Sequence, residues 1–267
     1  MDFLTGISDS LYLALNGLAG RSWLFDTLAA LPMDNNLVKA APIGACFMFA
    51  WFSGEDAAAS RNRRASLIVT MLSLLFVMAA TKAVSSQVFL PRPFILSQQT
   101  YHLDGDRLVE SARLEHRAPL NGDNRERAAD LARGDVVQND LGSFPSDHAG
   151  FYVALALGIA LACRRAGIAA LAWTVIVILI SRIVTGMHSP LDIAAGSLIG
   201  ASVLLLFHSV FRRWGRRLTE PVAGWTIRHP ALSSALLFLI VFEMANTLEN
   251  ARHIGGTAKD ALERMAG

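Results

Sequence analysis

Six long blocks almost free of charge limit the fold of this chain more than any other feature. They run at about 36–52, 66–90, 149–163, 168–182, 190–211 and 231–248. A helix that crosses a bilayer core takes roughly 20 apolar residues. Blocks three and four are short, so they are expected to extend into their polar ends or to tilt. Hydrophobic residues make up 53% of the 267-residue chain and charged residues 17%, a balance ordinary for a membrane protein. A soluble helical core would show an amphipathic period, and none covers these blocks. The expected fold class is therefore all-α: a polytopic membrane protein with a six-helix transmembrane bundle.

The first 35 residues read differently. Asp2 stands where a secretory signal would be basic, and the first arginine is Arg21. Phe3, Leu4, Ile7, Leu11 and Leu15 share one helical face. That spacing predicts an amphipathic helix at the membrane surface. Trp23, Leu24, Leu28 and Leu31 predict a second one, after a turn at 17–20. The two cysteines, Cys46 and Cys163, belong to different spans and make no disulfide framework. A net charge of +2 gives no argument for a nucleic-acid partner.

Basic residues set the orientation. Arg61, Arg63 and Arg64 follow the first span, Arg164 and Arg165 the third, and Arg212, Arg213, Arg216 and Arg217 the fifth. These three loops share one side if all six spans cross, and the positive-inside rule makes that side cytoplasmic. The opposite side then holds Arg92, Ser146, His148 and His188. In a bacterium this is a multi-pass inner-membrane protein with those residues at the periplasmic face. The polar stretch 94–143 lies on the same side and reads as a solvated lid or spacer, with a short surface helix at 123–133. One domain, 1–267, is expected, with its motifs in 66–211.

Three polar clusters interrupt the apolar blocks on that face. Pro145-Ser146-Asp147-His148 opens block three. Ser146 or Asp147 is an N-cap candidate, and the first backbone N–H groups of such a helix form a phosphate cradle. An ordinary capped helix with an interfacial histidine fits the same four residues. Ser181 and Arg182 end block four, and His188 and Asp192 open block five. Arg182 offers a planar fork of donors suited to phosphate. His188 and Asp192 are four apart, so on a helix the carboxylate can hold one ring nitrogen and leave the other free to attack. Lys82 lies late in block two, with Arg92-Pro93 just beyond.

These residues resemble the type 2 phosphatidic acid phosphatase (PAP2) superfamily. Its pattern is Lys-x6-Arg-Pro, then Pro-Ser-Gly-His, then Ser-Arg-x5-His-x3-Asp. The third motif is complete here. The second carries Asp147 in place of glycine, a variant also found in undecaprenyl-pyrophosphate phosphatases of the superfamily. In the first, nine residues separate Lys82 from Arg92 instead of six. A continuous helix would hold them about 15 Å apart, so a bend near 89–91 is expected.

The resemblance implies a membrane lipid phosphatase that uses no metal or other cofactor. His188 would attack phosphorus, Asp192 would orient it, and His148 would protonate the leaving oxygen. Lys82, Arg92, Ser146, Asp147, Ser181 and Arg182 would bind the phosphate. The preferred substrate is a polyprenyl pyrophosphate such as undecaprenyl pyrophosphate. Lipid A, phosphatidylglycerophosphate, phosphatidic acid and a phosphotransfer reaction are the alternatives. A non-enzymatic transporter and a metal site of Asp147, His148, His188 and Asp192 are the rival classes. Nothing in the sequence fixes an oligomeric state.

Overall fold

Polar residues cap the starts of four of the apolar blocks: Asn35, Asp56, Ser146 and Ser189. The computed structural model describes residues 2–88, 90, 92–93, 99–104, 107–112, 117–120 and 142–245. Two short helices come first, α1 (Asp2–Asn16) and α2 (Trp23–Asp34). Next is α3 (Asn36–Phe52), whose N-cap Asn35 accepts from the N–H groups of Leu37 and Val38. In α4 (Ala57–Ser85) the cap is Asp56, which accepts from Ala59 at 2.7 Å.

The remaining helices are α5 (Asp147–Ala162), α6 (Arg164–Val184), α7 (Pro190–Val210), α8 (Arg216–Arg228) and α9 (Pro230–Ala245). Within α6 a π-helical stretch, Thr174–Leu179, lies one turn before Ser181 and Arg182. A second π stretch, Phe211–Gly215, joins α7 to α8.

Among the described residues α4, α6 and α7 are long and apolar enough to cross a membrane. The pair α8 and α9 meets the same test only together, and is bent by 115°. The shorter apolar helices α3 and α5 span 17 and 16 residues. The molecule is thus a polytopic membrane protein built on helices.

Several boundaries differ from the sequence expectation. Block two is the apolar part of a longer helix, because Asp56 caps it ten residues before Ser66. That helix ends at Ser85, earlier than the expected bend at 89–91. The arginine-rich link after block five is helical: α8 carries Arg217 exposed on its first turn. The stretch expected as a plain loop contains a three-stranded sheet of order β2–β1–β3. In it β1 (Gln99–Asp104) pairs antiparallel with β2 (Arg107–Ala112) and parallel with β3 (Arg117–Leu120). The expected helix at 123–133 lies outside the described residues.

The interior and exterior of the bundle are both apolar. Phe47, Leu67, Leu74, Val77, Phe151, Leu155, Ile159 and Leu204 fill the core. Leu72, Leu75, Phe76, Ile176, Leu198, Leu206 and Phe238 are exposed around it. That outer belt is stable only against hydrocarbon. With lipid on the outside, helix contact depends on close backbone approach. Gly196 and Gly200 of α7 supply it against α5. A Cβ at Gly200 would stand 2.1 Å from the Gly150 carbonyl oxygen, and one at Gly196 would stand 2.1 Å from that of Ser146.

This contact predicts a specific fragility. Gly200→Ala forces two backbones apart and should destabilise the protein by roughly 1–3 kcal/mol. Gly224→Ala is the control, since nothing lies within 4 Å of its Cβ position. Thermal unfolding in detergent should separate the two variants.

Candidate active site

The glycine contact draws the N-terminus of α5 onto the first turn of α7. Ser146 caps α5 by accepting from Ala149 at 3.4 Å, and its own N–H donates to the Asp192 carbonyl at 3.1 Å. On the other side, Ser189 and Asp192 form a reciprocal capping box with Pro190 in the first turn. The Ser189 hydroxyl accepts from the Asp192 N–H, and the Asp192 carboxylate accepts from the Ser189 N–H at 2.7 Å.

Gly186 explains the five-residue spacing between Arg182 and His188. Its φ of 72° lies in the left-handed region, where glycine is free of strain. The Gly186 N–H donates to the Ile183 carbonyl at 3.0 Å, and the Met187 N–H donates to the Arg182 carbonyl at 3.0 Å. This is a Schellman C-cap. The His188 N–H reaches the same Arg182 carbonyl at 3.1 Å. The nucleophile candidate is thereby folded back onto the arginine's backbone.

His188 is 4% exposed, and Asp192 does not hold its ring. The ring Nδ1 lies 2.9 Å from the carbonyl oxygen of Ser143. A carbonyl only accepts, so Nδ1 carries the proton and Nε2 carries the lone pair. The expected His188–Asp192 pair fails because α7 starts at Pro190, which leaves His188 off the helix. Asp192 instead holds the cap and the hydroxyl of Ser143. Burial, then the charges of Arg182 and Arg92, hold the His188 imidazole well below the usual histidine range, so it is neutral.

His148 has a different partner. Its Nδ1 lies 2.8 Å from the Asp147 carboxylate, which also accepts from the His148 backbone N–H at 2.7 Å. Asp147 therefore faces the histidine, and only its backbone N–H remains for an anion. The carboxylate orients His148 with Nε2 outward.

The cations divide into three groups. Arg182 is buried, and among the described residues nothing accepts from its Nε. Arg92 is half-buried; its Nε donates to the Gly142 carbonyl at 3.3 Å, and its charge acts on His188 and Asp192. Lys82 is exposed on the last turn of α4, and no hydrogen bond or ion pair joins its side chain to these residues. Ser181 is buried on α6, where its carbonyl accepts from the Thr185 N–H and hydroxyl.

Two residues escaped the sequence reading. Ser143 acts through its carbonyl, which no side-chain pattern reveals. Lys39 is a buried lysine in the first turns of α3 whose charge acts on His148. A signal was available for it: a lysine inside an apolar span marks a functional position by default.

The charges of Arg182, Arg92 and Lys39 thus act on two histidines, each with Nδ1 anchored on an acceptor. The arrangement favours an anion. Among the described residues no group of three or more His, Cys, Asp or Glu is placed as a metal-ligand set.

No curated protein and no solved structure matches the chain. A family model does: that of the PAP2 superfamily matches residues 63–216, more than half of the chain and all three motifs. The chain belongs to the PAP2 superfamily, a family of phosphatases, and is a membrane member of it.

Proposed function

We propose that the protein hydrolyses a lipid phosphate or pyrophosphate at the periplasmic face of a bacterial inner membrane, through a phosphohistidine. One observation carries this reading. A neutral His188 with its Nδ1 anchored on Ser143 lies beside a buried Arg182 whose Nε meets no acceptor among the described residues.

The chemistry follows from those atoms. Nε2 of His188 attacks phosphorus, and the bond to the lipid oxygen breaks. His148 enters this step as the imidazolium, protonated at Nε2 as the phosphate charge enters the pocket while Asp147 holds its Nδ1–H, and it gives the Nε2 proton to that departing oxygen. The Ser143 carbonyl keeps the Nδ1 proton in place as the ring becomes positive. Water then attacks the phosphohistidine and returns a proton to His148, releasing phosphate and restoring His188. Arg182, Arg92 and the backbone N–H of Asp147 hold the equatorial oxygens, where charge is spread in phosphoryl transfer. Asp147 and Asp192 act as positioning residues, one on His148 and the other through Ser143 and the α7 cap.

The preferred substrate is a polyprenyl pyrophosphate. Asp147 within the Pro-Ser-Asp-His motif supports it, and Lys39 adds a cation for a second phosphate. Lipid A, phosphatidylglycerophosphate and phosphatidic acid are the competing substrates, and transfer to an acceptor other than water is the competing outcome. Phosphate release by the purified protein from a panel of these lipids tests the reading. Release from none of them would end it.

The cations should rank by their burial. Arg182→Lys keeps charge but loses the planar fork, and should cost about a hundredfold in kcat. Lys39→Met should lower kcat/KM by about tenfold to a hundredfold, the range of one lost charge-assisted hydrogen bond. Lys82→Met should stay close to wild type. Equal losses at Lys39 and Lys82 would contradict this assignment.

Orientation has its own test. In a variant lacking Cys46 and Cys163, a cysteine at Gln87 should react with an impermeant thiol reagent on intact cells. One at Glu55 should stay protected until the cells are opened. Both positions are exposed and flank α4. The reverse pattern would place the site in the cytoplasm.

A further inference from the structure

The two helix ends that flank His188 each leave a backbone group without an intrahelical partner. Val184 is the last residue of α6, and its carbonyl belongs to the unpaired last turn. Leu191 is the second residue of α7, and its N–H belongs to the unpaired first turn. Buried groups of this kind need partners from elsewhere. Both partners come from α1. The Asn16 side-chain amide donates to the Val184 carbonyl at 3.0 Å, and the Ser8 hydroxyl accepts from the Leu191 N–H at 3.2 Å.

Ser8, Tyr12 and Asn16 lie four residues apart, on one face of α1. All three are buried, Asn16 to 1% exposure. The rest of its circumference is open and carries large apolar side chains: Phe3 is 78% exposed, Leu4 61% and Leu11 51%. The usual arrangement of a surface helix is therefore inverted. Its hydrogen-bonding side faces protein, and its apolar side faces outward at the level where α6 ends and α7 begins. In α2 the side chains of Trp23, Leu24 and Leu28 are exposed as well. A lipid surface is the partner that fits, since α1 is bonded to the ends of two apolar helices and leaves these side chains open.

We propose that α1 is a membrane-seated clamp on the connection carrying His188, with Ser8 and Asn16 as positioning residues. Seating of Phe3, Leu4, Ile7 and Leu11 in the lipid surface fixes the helix. The helix then fixes both ends of the five-residue connection 185–189. Activity consequently depends on the bilayer as well as on the site. This inference rests on His188 as the nucleophile for its kinetic part alone.

The test uses full-length protein in nanodiscs of phosphatidylethanolamine and phosphatidylglycerol. Two variants are compared with wild type: the double change Ser8→Ala with Asn16→Leu, and the face change Leu4→Ser with Ile7→Ser. Hydrogen exchange is followed across 184–192, together with kcat and KM on a lipid phosphate. The clamp predicts faster exchange in that segment for both variants. It also predicts a fall in kcat of about tenfold, equivalent to roughly 1.4 kcal/mol, with KM little changed. Ser8→Thr alone, which keeps the hydroxyl, should retain most of the rate. Wild-type exchange and wild-type kcat in the double variant would overturn the proposal, as would an effect confined to KM. If no lipid phosphate is hydrolysed at all, the functional reading fails, and the exchange result still decides the clamp.

Discussion

The close approach of α5 and α7 is the constraint on which the rest of the site depends. Gly196 and Gly200 leave no room for a side chain between the two backbones. That contact sets the first turn of α5 against the first turn of α7, and a backbone hydrogen bond from Ser146 to Asp192 locks their register. Each motif is then oriented by short-range rules. A capping box fixes Asp192, and a Schellman turn through Gly186 returns His188 to Arg182. The site is thus assembled from helix ends, where a membrane protein has backbone groups to spare.

Charge placement follows the same logic. A buried guanidinium is expensive in an apolar interior unless an anion meets it. Among the described residues nothing accepts from the Arg182 Nε, and Arg92 and Lys39 act on the histidines from other elements. The two carboxylates are turned to neighbouring donors: Asp147 to His148, and Asp192 to Ser189 and Ser143. A pocket with its acids turned to protein donors and a cation held open suits a phosphate group.

Much of this was legible in the sequence, for definite reasons. Apolar blocks mark helices by composition alone, so α3, α5, α7 and the apolar part of α4 fall close to their expected places. Within each motif, spacing at a helix end is local, so Ser146 with His148 and Arg182 with His188 are each placed by short-range rules, and the glycine contact of α5 with α7 then brings the pairs together. What the sequence concealed is either backbone chemistry or long-range contact. The Ser143 carbonyl leaves no side-chain signature. Asp192 looked like the partner of His188 because a four-residue spacing suggests one helical face, but Pro190 starts the helix too late. Lys82 looked like a site residue from its motif, yet it is exposed where Lys39, from a helix more than a hundred residues upstream of His148, is buried. Asn16 meets Val184 across 168 residues, a separation no local pattern can bridge.

The central claim is that His188 carries the phosphoryl group. The most direct measurement is to quench the purified protein during turnover of a phosphate-labelled lipid under alkaline conditions, then locate bound phosphate by peptide mass spectrometry. The account predicts phosphate on His188, and none in His188→Ala. Turnover with no covalent phosphate on any residue, lost in chelator and restored by one divalent metal, would contradict it.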